Sequence, residues 1–216
     1  DTARAGDSFS RTRSKRLMNK DFDVIIIGGG ASGCSTAMQL SLQGRSVLVL
    51  DKAQFGSGST GQAAGLGGQL RSNPSETRLL MEGIEVVRQM ERKLNEKIFT
   101  KTGSLHVAAT EDRAGELRDF VESGKAIGFD IGLVDREFAK SRLPCMRTDD
   151  LIEFCYCPTD GHFAPSELLN GYIRIARDAG ATLLPQTPVE DILMEGGRVK
   201  GVQTADGSFF APVVVN

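Results

Sequence analysis

Six residues near the amino end, Gly28-Gly29-Gly30-Ala31-Ser32-Gly33, place glycines first, third and sixth directly after the apolar run Asp23-Val24-Ile25-Ile26-Ile27. An acid, Asp51, stands eighteen residues after Gly33 and closes a second apolar run, Ser46-Val47-Leu48-Val49-Leu50. The chemistry this spacing supports is the binding of a dinucleotide through its pyrophosphate and ribose. Gly28 allows a tight turn off the first strand, Gly30 lets the backbone approach a pyrophosphate, and Gly33 permits close packing of the next helix on the sheet. That helix, from about Ala31 to Leu42 and opening with Ala31 and Ser32, aims first-turn amides and its positive dipole end at the phosphates. Asp51, with Lys52 beside it, ends the second parallel strand, where a carboxylate accepts both hydroxyls of an adenosine ribose and disfavours a 2′-phosphate.

The elements around these residues must position them. Residues Lys52 to Gly68 are too poor in apolar bulk for a core element, and their density of glycine and hydroxyl side chains suggests backbone lying against a ligand. A later block, Cys157-Pro158-Thr159-Asp160-Gly161-His162-Phe163-Ala164-Pro165, reads as a turn at Thr159-Asp160-Gly161 followed by a helix with Pro165 in its first turn. Leu168, Leu169, Tyr172, Ile173, Ile175 and Ala176 give that helix an apolar face, and Thr182-Leu183-Leu184 reads as the next parallel strand.

These blocks resemble the FAD-dependent amine and amino-acid oxidoreductases of the D-amino-acid oxidase superfamily, which includes sarcosine and dimethylglycine dehydrogenases and glycine oxidase. The resemblance implies an α/β fold, with a Rossmann-type FAD-binding domain interleaved with the start of an α+β substrate domain. It also implies that Asp51 binds the adenosine ribose and that a G-S-x-x-x-A-A-G loop runs along the pyrophosphate to the flavin. Here that loop is Gly58-Ser59-Thr60-Gly61-Gln62-Ala63-Ala64-Gly65. Relatives that attach the flavin covalently carry a histidine in an S-T-W-H-A-A-G motif, and Gln62 stands in its place, so the resemblance implies non-covalent FAD. Pro158 to Pro165 is similar to the family's P-x-D-G-x-x-x-P segment. By the same resemblance Val189 is a candidate adenine contact through its backbone, with an ordinary strand valine as the equal alternative.

Candidates for catalysis are few. Of the two histidines, His106 lies mid-strand and reads as structural, and His162, beside Asp160, is a weak catalytic candidate set against a role at the helix entry. Ser57, Ser59 and Thr60 lack the G-x-S-x-G elbow of a hydrolase. Flavin oxidation of an amine needs little acid or base from the protein, because the ring accepts the hydride. No metal site is read from the sequence. Cys34, Cys145, Cys155 and Cys157 show no C-x-x-C spacing and are expected as buried free thiols, with a disulfide or metal ligation as the alternative.

A net charge of -2 gives no electrostatic case for nucleic acid, and no apolar run approaches a membrane span. Residues 1 to 20 carry Arg4, Arg11, Arg13, Lys15, Arg16 and Lys20 with few apolar residues, so they cannot bury enough surface to fold alone. They are expected to be a flexible basic arm, a transit remnant or vector-derived sequence. A cytoplasmic location fits the cysteines, or the mitochondrial matrix if the arm is a transit remnant.

Helices are expected over Pro74 to Lys97, with Leu79, Leu80, Ile84, Val87, Met90 and Leu94 on one face, over Glu111 to Gly124 and over Asp135 to Arg142. Strands are expected over Gly103 to Ala109, Ile131 to Val134 and Leu151 to Cys157. The domain layout implied is 21–82 for the first part of the FAD domain, 83–157 for the substrate-domain portion and 158–216 for the second FAD part. Pro212 to Asn216 is similar to the family strand that continues into an A-A-G turn, which would start just past Asn216. Members being nearly twice this long, the expectation is an incomplete enzyme. The reading is then the FAD-binding portion of an oxidoreductase acting on the C-N bond of an amine or amino acid by hydride transfer to FAD. The alternatives are a non-catalytic or split-half subunit completed by a second polypeptide, and an NAD-dependent dehydrogenase using the same glycine turn.

Overall fold

The computed structural model describes residues 21–216, so the basic segment of residues 1–20 lies outside the described residues. The chain begins with β1 (Val24–Ile27), α1 (Ala31–Leu42) and β2 (Val47–Leu50), joined as a parallel pair from Val24 opposite Val47 to Ile27 opposite Leu50. Both strands are continuous β-branched or leucine runs with no alternation, the pattern of strands covered on both faces. All four residues of β2 are buried. A 3₁₀ turn, Ser59–Gln62, follows, and then β3 (Leu66–Gly67).

Helix α2 (Pro74–Leu94) starts where the Asn73 side chain accepts from the Ser75 amide, with Pro74 in the first turn, and stops at Asn95 in the left-handed conformation. That cap ends the helix three residues short of the expected Lys97. Ile84, Val87 and Met90 are buried as expected, but Leu79 is 71% exposed. Next come β4 (Phe99–Lys101), β5 (Ser104–Ala108) and α3 (Glu111–Ala126), the last capped by Thr110 and carrying Glu111 and Asp112 at its positive end. Helix α3 runs through Gly124, whose missing Cβ lets Ile131 and Phe129 approach. The passage ends with β6 (Gly132–Val134), α4 (Arg136–Arg142) capped by Asp135, β7 (Glu153–Cys157) and β8 (Gly161–Phe163). The turn between β7 and β8 is centred on Pro158–Thr159, and Gly161 already belongs to a strand.

Helix α5 (Pro165–Asp178) begins at Pro165 as expected and buries Leu169, Ile173, Ile175 and Ala176. It leads to β9 (Thr182–Leu184), to a meander of β10 (Val189–Glu195), β11 (Arg198–Thr204) and β12 (Gly207–Phe210), and to β13 (Val213–Val215).

The described residues divide into two compact units, one made of the chain up to Ala63 together with Pro165–Asn216, the other of Ala64–Ala164. The boundaries implied by the resemblance lie instead at 82/83 and 157/158. In the first unit the sheet order is β13-β1-β2-β9, all parallel. Helices α1 and α5 pack against each other. Alternation sends Ile26 towards α1, where its Cγ2 lies beside Gly33, and sends Ile25, Leu48 and Leu50 into a cluster with Val202 and Phe209 of the meander. In the second unit, β3-β8-β4 and β5-β7-β6 are separate antiparallel sheets. Helix α3 covers β5 and β7 through Ala114, Leu117 and Val121. Among the described residues no helix is long and apolar enough to cross a membrane.

Candidate functional site

The turn off β1 is built around Gly28, whose φ of +112° is open to glycine and strained for any side chain. A Cβ on Gly33 would fall inside the Gly28 carbonyl, so the start of α1 lies against the turn only because position 33 has no side chain. At Gly30 the nearest atom to a Cβ would be Thr60 Oγ1 at 3.1 Å, which leaves bare backbone facing the cleft in front of the helix. That cleft has a volume of about 380 Å³ and opens at the carboxyl ends of β1 and β2. This size is within the roughly 300–1,000 Å³ of ligand pockets.

Of the residues expected to bind a dinucleotide, Gly28, Gly30, Ala31, Ser32, Gly33, Asp51, Gly58, Ser59 and Thr60 line this one cleft. Asp51 is held by two backbone donors, the Gly29 amide to Oδ2 at 2.7 Å and the Ala53 amide to Oδ1 at 2.8 Å. An ionised carboxylate has about four acceptor sites, so each oxygen keeps capacity for a hydroxyl. Thr60 Oγ1 accepts from the Ala31 amide at 3.0 Å, which ties the 3₁₀ turn to the helix N-terminus. The amides of Ser32 and Gly33 belong to the same first turn, which has no carbonyl four residues back within the helix. A larger, open cleft of about 750 Å³ is bordered by Phe22, Arg198, Lys200 and Phe210, and it includes neither the glycine turn nor a helix N-terminus.

The other expected residues are placed differently. Lys52 and Gln62 are exposed and do not line the cleft. Ala63, also exposed, borders a neighbouring pocket of about 310 Å³ with Phe55, Gly56, Pro165 and Leu169. Ala64 and Gly65 fall in the second unit, where the Gly65 carbonyl accepts from the Phe163 amide at 2.6 Å. The Val189 side chain packs against the core cluster of the first unit. His162 is exposed on β8 opposite Leu66 and Thr100. Sequence reasoning missed Phe55, whose ring occupies the space a Cβ on Gly29 would need. An aromatic four residues past the acid carries no such signal on its own.

Cys34 follows Gly33 inside α1, and burial, then the negative charge of Asp51, push its thiol up to about 11. Cys155 and Cys157 are buried as expected, but Cys145 is exposed.

A second polar cluster was not anticipated. Pairing of β5 with β7 sets His106 opposite Cys155 and Ser104 opposite Cys157, with all four on the face towards α3. The Asp160 carboxylate, 1% exposed, accepts from the Gln69 amide at 3.0 Å and Gln69 Nε2 at 3.1 Å on Oδ1, and from the Ser104 hydroxyl at 2.6 Å on Oδ2. Ser104 Oγ is also 3.2 Å from His106 Nε2. A hydrogen bond with Cys157 raises the His106 pKa against the opposing effect of burial. Cys155 and Cys157 share a hydrogen bond that lowers the first thiol and raises the second. The two-residue spacing puts Cys155 and Cys157 on one face of their strand, but no sequence spacing pairs that strand with β5 or brings Ser104, His106 and Asp160 to it.

Human sarcosine dehydrogenase, a mitochondrial protein, is 33% identical to the chain over 98% of its residues and 24% of its own length. A subunit of the anaerobic glycerol-3-phosphate dehydrogenase of Haemophilus influenzae is 32% identical over 93% of the chain and 36% of its own length. The crystal structure of L-proline dehydrogenase from P. horikoshii superposes with a TM-score of 0.87 at 28% identity, covering 91% of this chain and 52% of that one. The chain thus spans about a quarter to a third of the two curated relatives. Residues 23–216 match the family described as FAD dependent oxidoreductase, DAO, and with the glycine turn, Asp51 and the parallel sheet in place, the chain belongs to that family.

Proposed function

We propose that this chain is the FAD-binding portion of an oxidoreductase that oxidises the C-N bond of an amine or amino acid by hydride transfer to FAD. The observation that carries the reading is the cleft at the carboxyl ends of β1 and β2, where bare backbone at Gly30, first-turn amides of α1 and the anchored Asp51 carboxylate converge. These groups fit the ADP half of the cofactor. Asp51 accepts the ribose hydroxyls, the amides of Ser32 and Gly33 meet the pyrophosphate, and Ser59 and Thr60 close over it from the 3₁₀ turn. Gln62 offers no imidazole for covalent attachment, so the FAD is held without a bond to this loop. Bound there, FAD supplies the hydride acceptor.

The choice of C-N over C-O oxidation is supported by the names of two relatives, a sarcosine dehydrogenase and an L-proline dehydrogenase, against one named for glycerol 3-phosphate. The test is anaerobic mixing of the FAD-loaded protein containing these residues with sarcosine, with proline and with glycerol 3-phosphate. Bleaching of the visible flavin band by an amine, with one equivalent of imine or its hydrolysis product formed, is expected. Bleaching by glycerol 3-phosphate alone would move the assignment to C-O oxidation, and FAD that binds but is reduced by none of them would favour a non-catalytic chain.

A further inference from the structure

We infer that His106, Cys157 and Asp160 form a binding site for one divalent cation of the zinc type, independent of the dinucleotide cleft. A ring nitrogen, a sulfur and a carboxylate oxygen from these three side chains lie within 4.8 Å of one another. Cys157 and Asp160 are buried and His106 is half-buried, which leaves an approach from the imidazole side. Imidazole, thiolate and carboxylate together suit a borderline cation in four-coordinate geometry, whereas calcium and magnesium call for six or more oxygens.

The ligands sit on rigid backbone. His106 is on β5 and Cys157 ends β7, neighbouring strands of one sheet, and Asp160 follows in the short turn to β8. Gln69 donates through both its backbone and side-chain nitrogens to Asp160 Oδ1, which fixes the carboxylate, while Oδ2 accepts from the Ser104 hydroxyl, a bond the ion would replace. Outer donors of this kind orient ligating carboxylates in metal sites. Ser104 Oγ, hydrogen-bonded to Oδ2 and 3.2 Å from His106 Nε2, would give up these contacts when the ion binds, and water completes a site with three protein ligands. On binding, the Cys157 thiol releases its proton to solvent and the cation takes its place.

The test uses the full chain, reduced and stripped of metal, titrated with Co²⁺ alone and then with Zn²⁺. One equivalent of Co²⁺ is expected, with a thiolate-to-cobalt charge-transfer band that Zn²⁺ abolishes. Cys157→Ser and His106→Ala should lose the band, and Cys145→Ser, at the exposed thiol, should keep it. Gln69→Ala should keep it with affinity reduced about 10- to 100-fold, the usual cost of a lost outer donor. Less than one equivalent in the unaltered chain, or a band that survives Cys157→Ser, would overturn the inference. If Cys157→Ser does not fold, the titration of the unaltered chain decides alone.

Discussion

Gly30 and Gly33 have different jobs, and substitution separates them. A Cβ at Gly33 has nowhere to go beside the Gly28 carbonyl, so Gly33→Ala should destabilise the fold by about 1–3 kcal/mol, as overpacking usually does. Gly30 faces the cleft, with only Thr60 Oγ1 nearby at 3.1 Å. Gly30→Leu should therefore cost less urea stability than Gly33→Ala, no more than the about 1 kcal/mol of the Thr60 hydrogen bond it crowds, and weaken FAD binding at least tenfold, about 1.4 kcal/mol. Equal losses of stability in both variants would contradict this division. Cys34 gives a pH prediction. Its thiol is pushed from 9.0 to about 11 in the fold, so the folded state keeps a proton that the unfolded chain releases from pH 9 upward. The contribution is fully present below pH 9 and is lost as pH rises towards 11. The urea midpoint should fall more steeply between pH 9 and pH 11 in the parent than in Cys34→Ala, and parallel slopes would refute it. The three glycines were legible at this scale because each answers a local demand of a strand-to-helix turn, and Asp51 because it closes the next apolar strand run at a fixed distance after them. The Phe55 ring over Gly29 and the two amides on Asp51 were not, since those partners are chosen by how the chain folds back.

At the scale of elements, the attachment of the 3₁₀ turn to α1 rests on the hydroxyl of Thr60, which accepts from the Ala31 amide. Thr60→Val keeps the shape and removes the acceptor, and should cost about 1 kcal/mol, the typical net value of one hydrogen bond. A thermal melt unchanged from the parent would show that water replaces the hydroxyl at no cost. Elements with buried faces on both sides or a strong helical period, such as β1, β2, α2 and α5, were readable from sequence. The meander was not. Strand β10 has no fully buried residue, and the inward positions of its neighbours, Val202, Thr204 and Phe209, follow no long alternation. Strands β3 and β8 have two and three residues, too few for any period to register.

At the scale of the whole molecule, the first unit is assembled from two stretches of chain separated by residues 64–164. Ala63 and Pro165, the two ends of that separation, border the same pocket beside Leu169. Replacing residues 64–164 by a short Gly/Ser linker should therefore leave the β13-β1-β2-β9 sheet folded and ADP binding within a few fold of the parent, read by circular dichroism and by titration. Loss of cooperative unfolding would show that the first unit cannot fold without the second. Family membership removes the nicotinamide alternative that the glycine turn alone had left open, because the match over residues 23–216 is to FAD dependent oxidoreductases.

The central claim is that the cleft in front of α1 holds the ADP half of FAD, and a competition titration tests it most directly. FAD binding is followed by its fluorescence, with ADP, FMN and NADH added in turn to the unaltered protein and to Gly30→Leu. The account predicts that ADP displaces FAD, that NADH, which carries the same ADP half, competes as ADP does, that FMN does not at equal concentration, and that Gly30→Leu binds FAD at least tenfold more weakly. Displacement by FMN without displacement by ADP, or full FAD retention by Gly30→Leu, would contradict it.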